Sequence, residues 1–273
     1  MNRNDSVFLR GFKPVAIVLL AVFLLGWFGS LEQRGLFIPD EGRYAEIARE
    51  MVSTGDWTTP RLNDLKYFEK PPLQYWLTGM MFAAFGEDEW TARFPAALLG
   101  FVAVLMVGFT ARRLWGTRAG LFAGTILGSS WAFYLSGQYL TLDMTLSAFL
   151  TMALCAFLLA QRDGATEVEN RHWMLAAWAA AACAMLSKGM VGIVLPGLAL
   201  AMYCVVSRDL RIWKRLNLRQ GIALFAIIVL PWFVLMQSRN PEFFHFFFIR
   251  EHVQRFLETG HSRSGAGGTT CPS

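Results

Sequence analysis

Cysteine is scarce in this chain, with four in 273 residues and no CxxC pair, so neither a disulfide framework nor a cysteine-rich zinc site is written into it. Charge is scarce too: only 16% of residues are Asp, Glu, Lys or Arg, against 55% that are hydrophobic. So little polar surface excludes a soluble globule of this length. Walker loops, GxGxxG turns, HExxH helices and internal repeats are missing, which removes the usual signatures of nucleotide, dinucleotide and zinc-protease chemistry. The net charge of +5 is no nucleic-acid footprint, because its basic residues fall largely in short loops between apolar runs.

Long apolar runs are what the sequence has. They lie at about 14–31, 94–111, 119–136, 143–160, 173–187, 190–207 and 220–237, each near the roughly 17–25 residues that cross a bilayer as helix. The expectation is an all-α polytopic membrane protein with seven transmembrane helices. The first run follows a basic start, but no small-x-small cleavage pattern follows it, so it reads as a retained anchor. A shorter run, Leu73–Phe85, is too short to cross comfortably, and orientation decides its place. If it lies on the surface, segments 1–13, 112–118, 161–172 and 208–219 share one side and hold thirteen Lys or Arg against five acids; the other side then holds twelve basic and fifteen acidic residues. The positive-inside rule favours that arrangement, with residues 32–93 on the outer face. Cys155, Cys183 and Cys204 fall within apolar spans and read as small core residues.

The outer segment contains "PDEGRYAEIAREM", where Pro39 and Asp40 form a helix start. Tyr44, Ile47, Ala48 and Met51 recur at three- and four-residue spacing, with charges between them, and Gly55 ends the pattern. That describes an amphipathic helix lying on the membrane. Further ionisable residues gather on the same side: Tyr67, Glu69 and Lys70 in "YFEKPPL", Asp143 in "LTLDMTLSAF", Lys188 in "LSKGMVG", and His252 with Arg255 in "EHVQRF". Each has a bland reading. Asp40 suits a helix N-cap, Glu69 and Lys70 a solvated loop, and His252 an imidazole buried among aromatics. Asp143 and Lys188 are harder to dismiss, because a charge beside long apolar runs is costly and faces a cavity or a partner.

Taken together, carboxylates with Lys, Arg and Tyr at an outer membrane surface suit a substrate that is phosphorylated and lipid-anchored, the cations holding phosphate. A polyprenyl-phosphate sugar has that chemistry and needs no nucleotide site. A transporter would instead place its charges near the midplane on broken helices, and a purely structural protein would leave "YFEKPP" without a reason.

The five segments "PDEGRYAEIAREM", "YFEKPPLQYW", "LTLDMTLSAF", "SKGMVGIVLPG" and "FFFIREHVQRFL", in that order, resemble the lipid A aminoarabinose transferases. These are members of the wider protein O-mannosyltransferase superfamily with the C-type glycosyltransferase fold, and the resemblance covers about 14–266. It implies a multi-pass enzyme of the bacterial inner membrane with surface helices in its first periplasmic loop. Such an enzyme moves a sugar, 4-amino-4-deoxy-L-arabinose in the aminoarabinose transferases, from undecaprenyl phosphate to lipid A; other members of the superfamily serve protein or another envelope polymer. It places Asp40 and Asp143 as the catalytic carboxylates, with Arg43, Tyr44 and Tyr67 lining the site. Lys70 and Lys188 lie near the donor phosphate, Arg255 joins the substrate contacts, and Glu69 with His252 would ligate a divalent metal.

The chemistry then concerns the leaving group. Charge grows on undecaprenyl phosphate as its bond to the anomeric carbon breaks, and Lys70, Lys188 and Arg43 suit that charge. With a hydroxyl acceptor Asp40 would serve as base; with an ionised phosphate acceptor no base is required, and Asp40 or Asp143 could face the donor's amino group or the oxocarbenium-like centre. The chain ends in "HSRSGAGGTTCPS", where the resemblance leads one to expect an aromatic segment and further spans. A Trp-Trp-Tyr-Tyr-Leu-Pro segment read one base out of frame gives Gly-Gly-Thr-Thr-Cys-Pro, which matches Gly267–Pro272. Residues 267–273 are therefore expected to be a frameshifted tail after a transmembrane domain of 1–266, with Cys271 serving no role.

Overall fold

The computed structural model describes residues 13–208 and 211–248. His252, Arg255 and the tail 267–273 lie outside the described residues. Each apolar run of the sequence is helical. In chain order the helices are α1 (Lys13–Phe28), α2 (Asp40–Thr54), α3 (Leu73–Phe85), α4 (Glu89–Trp115), α5 (Thr117–Ser129), α6 (Trp131–Gly137), α7 (Leu142–Gln161), α8 (Glu167–Lys188), α9 (Val191–Ser207) and α10 (Leu218–Arg239). A two-stranded antiparallel hairpin, β1 (Arg61–Leu62) and β2 (Leu65–Lys66), pairs Arg61 with Lys66 and Leu62 with Leu65.

Among the described residues, α4, α7 and α10 are long and apolar enough to cross a membrane. α9 is a shorter apolar helix of 17 residues. The run at 119–136 is not one rod: Ser130 is extended, at φ −62° and ψ 121°, and divides α5 from α6. Several helices expose one apolar side, with Val18, Val22 and Leu25 on α1, Leu105 and Phe109 on α4, Val194 and Leu198 on α9, and Ile227, Leu230 and Val234 on α10. Such a surface is stable against lipid chains and not against water.

Small residues set the inner packing. Between α4 and α5, Gly108 faces Gly120 and Gly124 so closely that a Cβ at Gly108 would stand 3.2 Å from the Gly120 carbonyl. Trp27 of α1 is fully buried against Ala96, Ala97, Val104 and Met144, and its indole donates to the Ala97 carbonyl at 2.9 Å. A second core joins α8 to α10 through Leu186, Trp232 and Met236, with Phe68, Phe243 and Phe247 closing it at the outer end.

The first outer segment folds as a platform on one end of the bundle. α2 buries Ala45, Ile47, Ala48 and Met51, as its apolar spacing predicts, and Gly55 ends it in a left-handed conformation at φ 72°. α3 packs against α2 and α4, burying Gln74, Tyr75, Thr78, Gly79 and Phe82. A buried polar chain ties α3 to the span below: Thr145 of α7 donates to Gln74, whose amide donates to Thr78 at 3.0 Å. The hairpin is held by Glu50, which accepts from the amides of Asn63 at 2.5 Å and Asp64 at 3.2 Å. From the far side, Lys66 pairs with Glu242 and Arg239 with Asp56 at the end of α10, and the Trp232 indole donates to the Thr58 carbonyl.

Candidate active site

The platform is anchored through a buried carboxylate. Glu41, 1% exposed, accepts from Arg93 Nε at 2.8 Å and Nη2 at 3.0 Å, from Arg34 Nη1 at 2.9 Å, and from the amides of Phe37 at 2.7 Å and Leu140 at 2.8 Å. Arg93 is fully buried and spends its remaining N–H groups on the carbonyls of Leu31, Arg34 and Gly35. Burial alone would raise the Glu41 pKa, but the hydrogen bonds from Arg93, Leu140, Phe37 and Arg34 outweigh it and hold the group at about 2. One carboxylate thus fixes four pieces of chain: the start of α2, the segment 31–37, the start of α4 and the turn before α7.

That anchoring sets the neighbours of Glu41 in place. Asp40, the first residue of α2, is 55% exposed and pairs with Arg43 one turn on. Asp40 is not the helix N-cap; Pro39 holds that position, and no side chain caps the helix. The bland reading of Asp40 is therefore corrected: its carboxylate is aimed outward, with Arg43 as partner. Tyr44 is half-buried, and its hydroxyl pKa is raised by burial and then by Asp40, with Asp143 and Glu69 adding to it and Arg43 opposing. Four charged groups from three separate segments thus act on one phenol. Tyr67 donates to Glu69 at 3.0 Å, and burial followed by the Glu69 charge keeps that phenol protonated far above its ordinary range. Lys70 is half-buried at the two prolines that lead into α3.

From the bundle come Asp143 and Lys188, which pair with each other across 45 residues of sequence. Asp143 stands in the first turn of α7 and is 66% exposed; Lys188 is the last residue of α8. Neither charge is at mid-helix, so the cost expected for a charge within the membrane does not arise. The turn between α8 and α9 and the turn before α7 both lie at the platform end, as the charge count predicts.

The structure thus brings Asp40, Arg43, Tyr44, Tyr67, Glu69 and Asp143 together, with Lys188 joined through Asp143. His252 and Arg255 lie outside the described residues. Sequence reasoning passed over Arg34, Arg93 and Tyr75, and assigned Glu41 no role. No local pattern marks Arg93 as the partner of a residue 52 positions away; its one signal is an arginine directly ahead of a long apolar run. Among the described residues no group of three or more His, Cys, Asp or Glu is placed to hold a metal ion.

The family model of dolichyl-phosphate-mannose-protein mannosyltransferases matches residues 15–247. The chain belongs to that family. Among relatives of this mannosyltransferase-family chain, an undecaprenyl phosphate-alpha-4-amino-4-deoxy-L-arabinose arabinosyl transferase of Shewanella sediminis is 37% identical over 89% of this chain and 44% of its own length. The protein of the same name from Aeromonas salmonicida is 35% identical over 86% of this chain and 43% of its own. The crystal structure of ArnT from Cupriavidus metallidurans bound to undecaprenyl phosphate superposes with a TM-score of 0.87 at 45% identity, over 89% of this chain and 45% of that one. Its apo form gives 0.87 at 44% identity. The chain spans less than half the length of the curated relatives it matches. The all-α membrane architecture expected from the sequence is the one these structures share.

Proposed function

We propose that the chain carries the donor-binding, membrane-embedded part of a polyprenyl-phosphate-dependent glycosyltransferase of the bacterial inner membrane. It moves 4-amino-4-deoxy-L-arabinose from undecaprenyl phosphate to lipid A at the periplasmic face. The observation that carries this reading is the meeting of two carboxylate–cation pairs, Asp40 with Arg43 and Asp143 with Lys188, at the outer ends of helices beside Tyr44, Tyr67 and Glu69. Support comes from the relatives' names and from the similar structure that holds undecaprenyl phosphate. A transporter, by contrast, would place its charges at mid-span.

The pairs explain how the site handles a phosphate. Each cation is neutralised by a carboxylate until the donor's phosphodiester, which carries one negative charge and gains a second as undecaprenyl phosphate leaves, competes for it. Lys188, Arg43 and Lys70 then take the phosphate oxygens and stabilise the negative charge that grows there as the anomeric bond breaks. Asp143 and Asp40, relieved of their partners, face the sugar, where they hold an amine, stabilise the oxocarbenium-like centre, or accept a proton from a hydroxyl acceptor. The reading keeps Glu69 and His252 as ligands for a divalent ion, and Arg255 as a substrate contact. Of these two ligands, Glu69 alone falls among the described residues.

Mass spectrometry of lipid A from cells with and without a full-length copy of the gene tests the reading. Lipid A carrying added aminoarabinose is expected. Unchanged lipid A beside a newly glycosylated protein or envelope polymer would move the enzyme to that neighbouring transferase class, and no new glycoconjugate of any kind would sink it.

A further inference from the structure

Tyr75 of α3 is fully buried, and its hydroxyl makes no hydrogen bond to any group among the described residues. This is unusual chemistry for a phenol, since buried Tyr hydroxyls ordinarily find a partner and an unmade hydrogen bond is costly. The residue does not stand in a remote core. Its ring lies 6.0 Å from that of Tyr44 and 6.4 Å from that of Tyr67 by centroid, and it packs with Ile47, Met51 and Leu142. Leu142 directly precedes Asp143. The charges that Tyr75 experiences are those of the candidate site, namely Glu69 and Arg43 beyond the two other phenols. Tyr67 is already committed to Glu69, and Tyr44 is the half-buried member of the trio. The ring that carries the unsatisfied hydroxyl therefore packs against those of Tyr44 and Tyr67, the two phenols that stand among the carboxylates.

We propose that Tyr75 is a specificity-determining residue of the donor site: when the Tyr44 ring turns aside, the Tyr75 hydroxyl hydrogen-bonds a hydroxyl or amine of the sugar unit of the polyprenyl-phosphate donor. Three aromatic rings with carboxylates among them suit a sugar, whose C–H faces pack on rings while its polar groups meet carboxylate and phenol oxygens. The phosphate is served elsewhere by Arg43, Lys70 and Lys188. A polar group buried without a partner is also a strong device for selection, because a ligand that fails to satisfy it leaves the cost in place. This inference rests on the function proposed above.

The test measures binding of undecaprenyl phosphate, with and without an attached pentose, to the purified 273-residue chain in lipid nanodiscs, for wild type and Tyr75→Phe, with thermal unfolding alongside. Tyr75→Phe is expected to weaken binding of the glycosylated lipid about three- to tenfold, the scale of one neutral hydrogen bond. Binding of the bare lipid phosphate should change less than about twofold, and the unfolding temperature should hold or rise, since the variant loses only an unpartnered hydroxyl. Equal losses for both lipids together with a lowered unfolding temperature would assign the hydroxyl a structural role and overturn the proposal. Unchanged affinity for both lipids would overturn it as well, leaving the function intact. A wild-type chain that binds neither lipid would overturn the function and this inference together.

Discussion

Asp40 and Glu41 are adjacent acids with opposite fates, and substitution separates them. Asp40 is exposed and touches Arg43 alone among the contacts described above, so Asp40→Asn should leave the unfolding temperature close to wild type, within about 0.5 kcal/mol as for other exposed positions. In a full-length version the same substitution should abolish sugar transfer, measured by lipid A mass spectrometry; retained transfer would remove Asp40 from the chemistry. Glu41→Gln should behave in the reverse way, because it strands the fully buried Arg93 guanidinium, and breaking such a pair costs about 3–5 kcal/mol. The pH dependence follows from the same contacts. The pKa of Glu41 falls from 4.5 to about 2 on folding, so its stabilisation is complete above about pH 4.5 and is lost as pH drops through that value toward 2. Thermal unfolding between about pH 6 and about pH 3 should therefore fall more steeply for wild type than for Glu41→Gln. Parallel curves would mean that the buried network is not held by an ionised Glu41.

At the scale of elements, the hairpin of α8 and α9 depends on one glycine. A Cβ at Gly192 would stand 2.5 Å from the Ala184 carbonyl carbon and the Met185 amide nitrogen, both backbone atoms that cannot rotate away. Gly192→Ala should separate the two helices and cost about 1–3 kcal/mol by overpacking. Gly197 lies in the same helix, where a built Cβ would meet nothing within 4 Å beyond its own helical turns among the described residues, so Gly197→Ala should be neutral or stabilise by up to about 1 kcal/mol through helix propensity. Differential scanning fluorimetry of both variants in detergent checks the pair. Because Lys188 ends α8 three residues before α9 begins, Gly192→Ala should also weaken binding of undecaprenyl phosphate, and Gly197→Ala should not.

For the whole molecule, the decisive property is which way it faces. Basic loops around Arg112, Arg162 and Arg215 lie at one end of the helices, and the platform with its carboxylates lies at the other. In a background without the native cysteines, a cysteine at Asn63, in the hairpin turn, should react with a membrane-impermeant maleimide on intact spheroplasts. One at Asp163, between α7 and α8, should react only after the membrane is opened. The opposite pattern would invert the topology and place the candidate site in the cytoplasm, where an undecaprenyl-linked donor for the outer face has no use.

The sequence by itself determined the class, the helical runs, the orientation expected of them and the one-sided gathering of ionisable groups. Lipid imposes length and apolarity on any helix that crosses it, and charge bias orients the helices, so both are written in local composition. Tyr44, Ile47, Ala48 and Met51 announced α2 by their spacing, and Gly55 its end, for equally local reasons. Only the tertiary structure decided which charges meet. Glu41 joins Arg93 across 52 residues and Asp143 joins Lys188 across 45, and both pairings depend on how helices cross and where their ends fall. Local sequence likewise did not show the division of the 119–136 run at Ser130 or the packing of Tyr44 and Tyr67 against the buried ring of Tyr75. These outcomes follow from side-chain packing between segments distant in the chain, where a shift of one helical turn would exchange every partner while leaving each segment's own pattern unchanged.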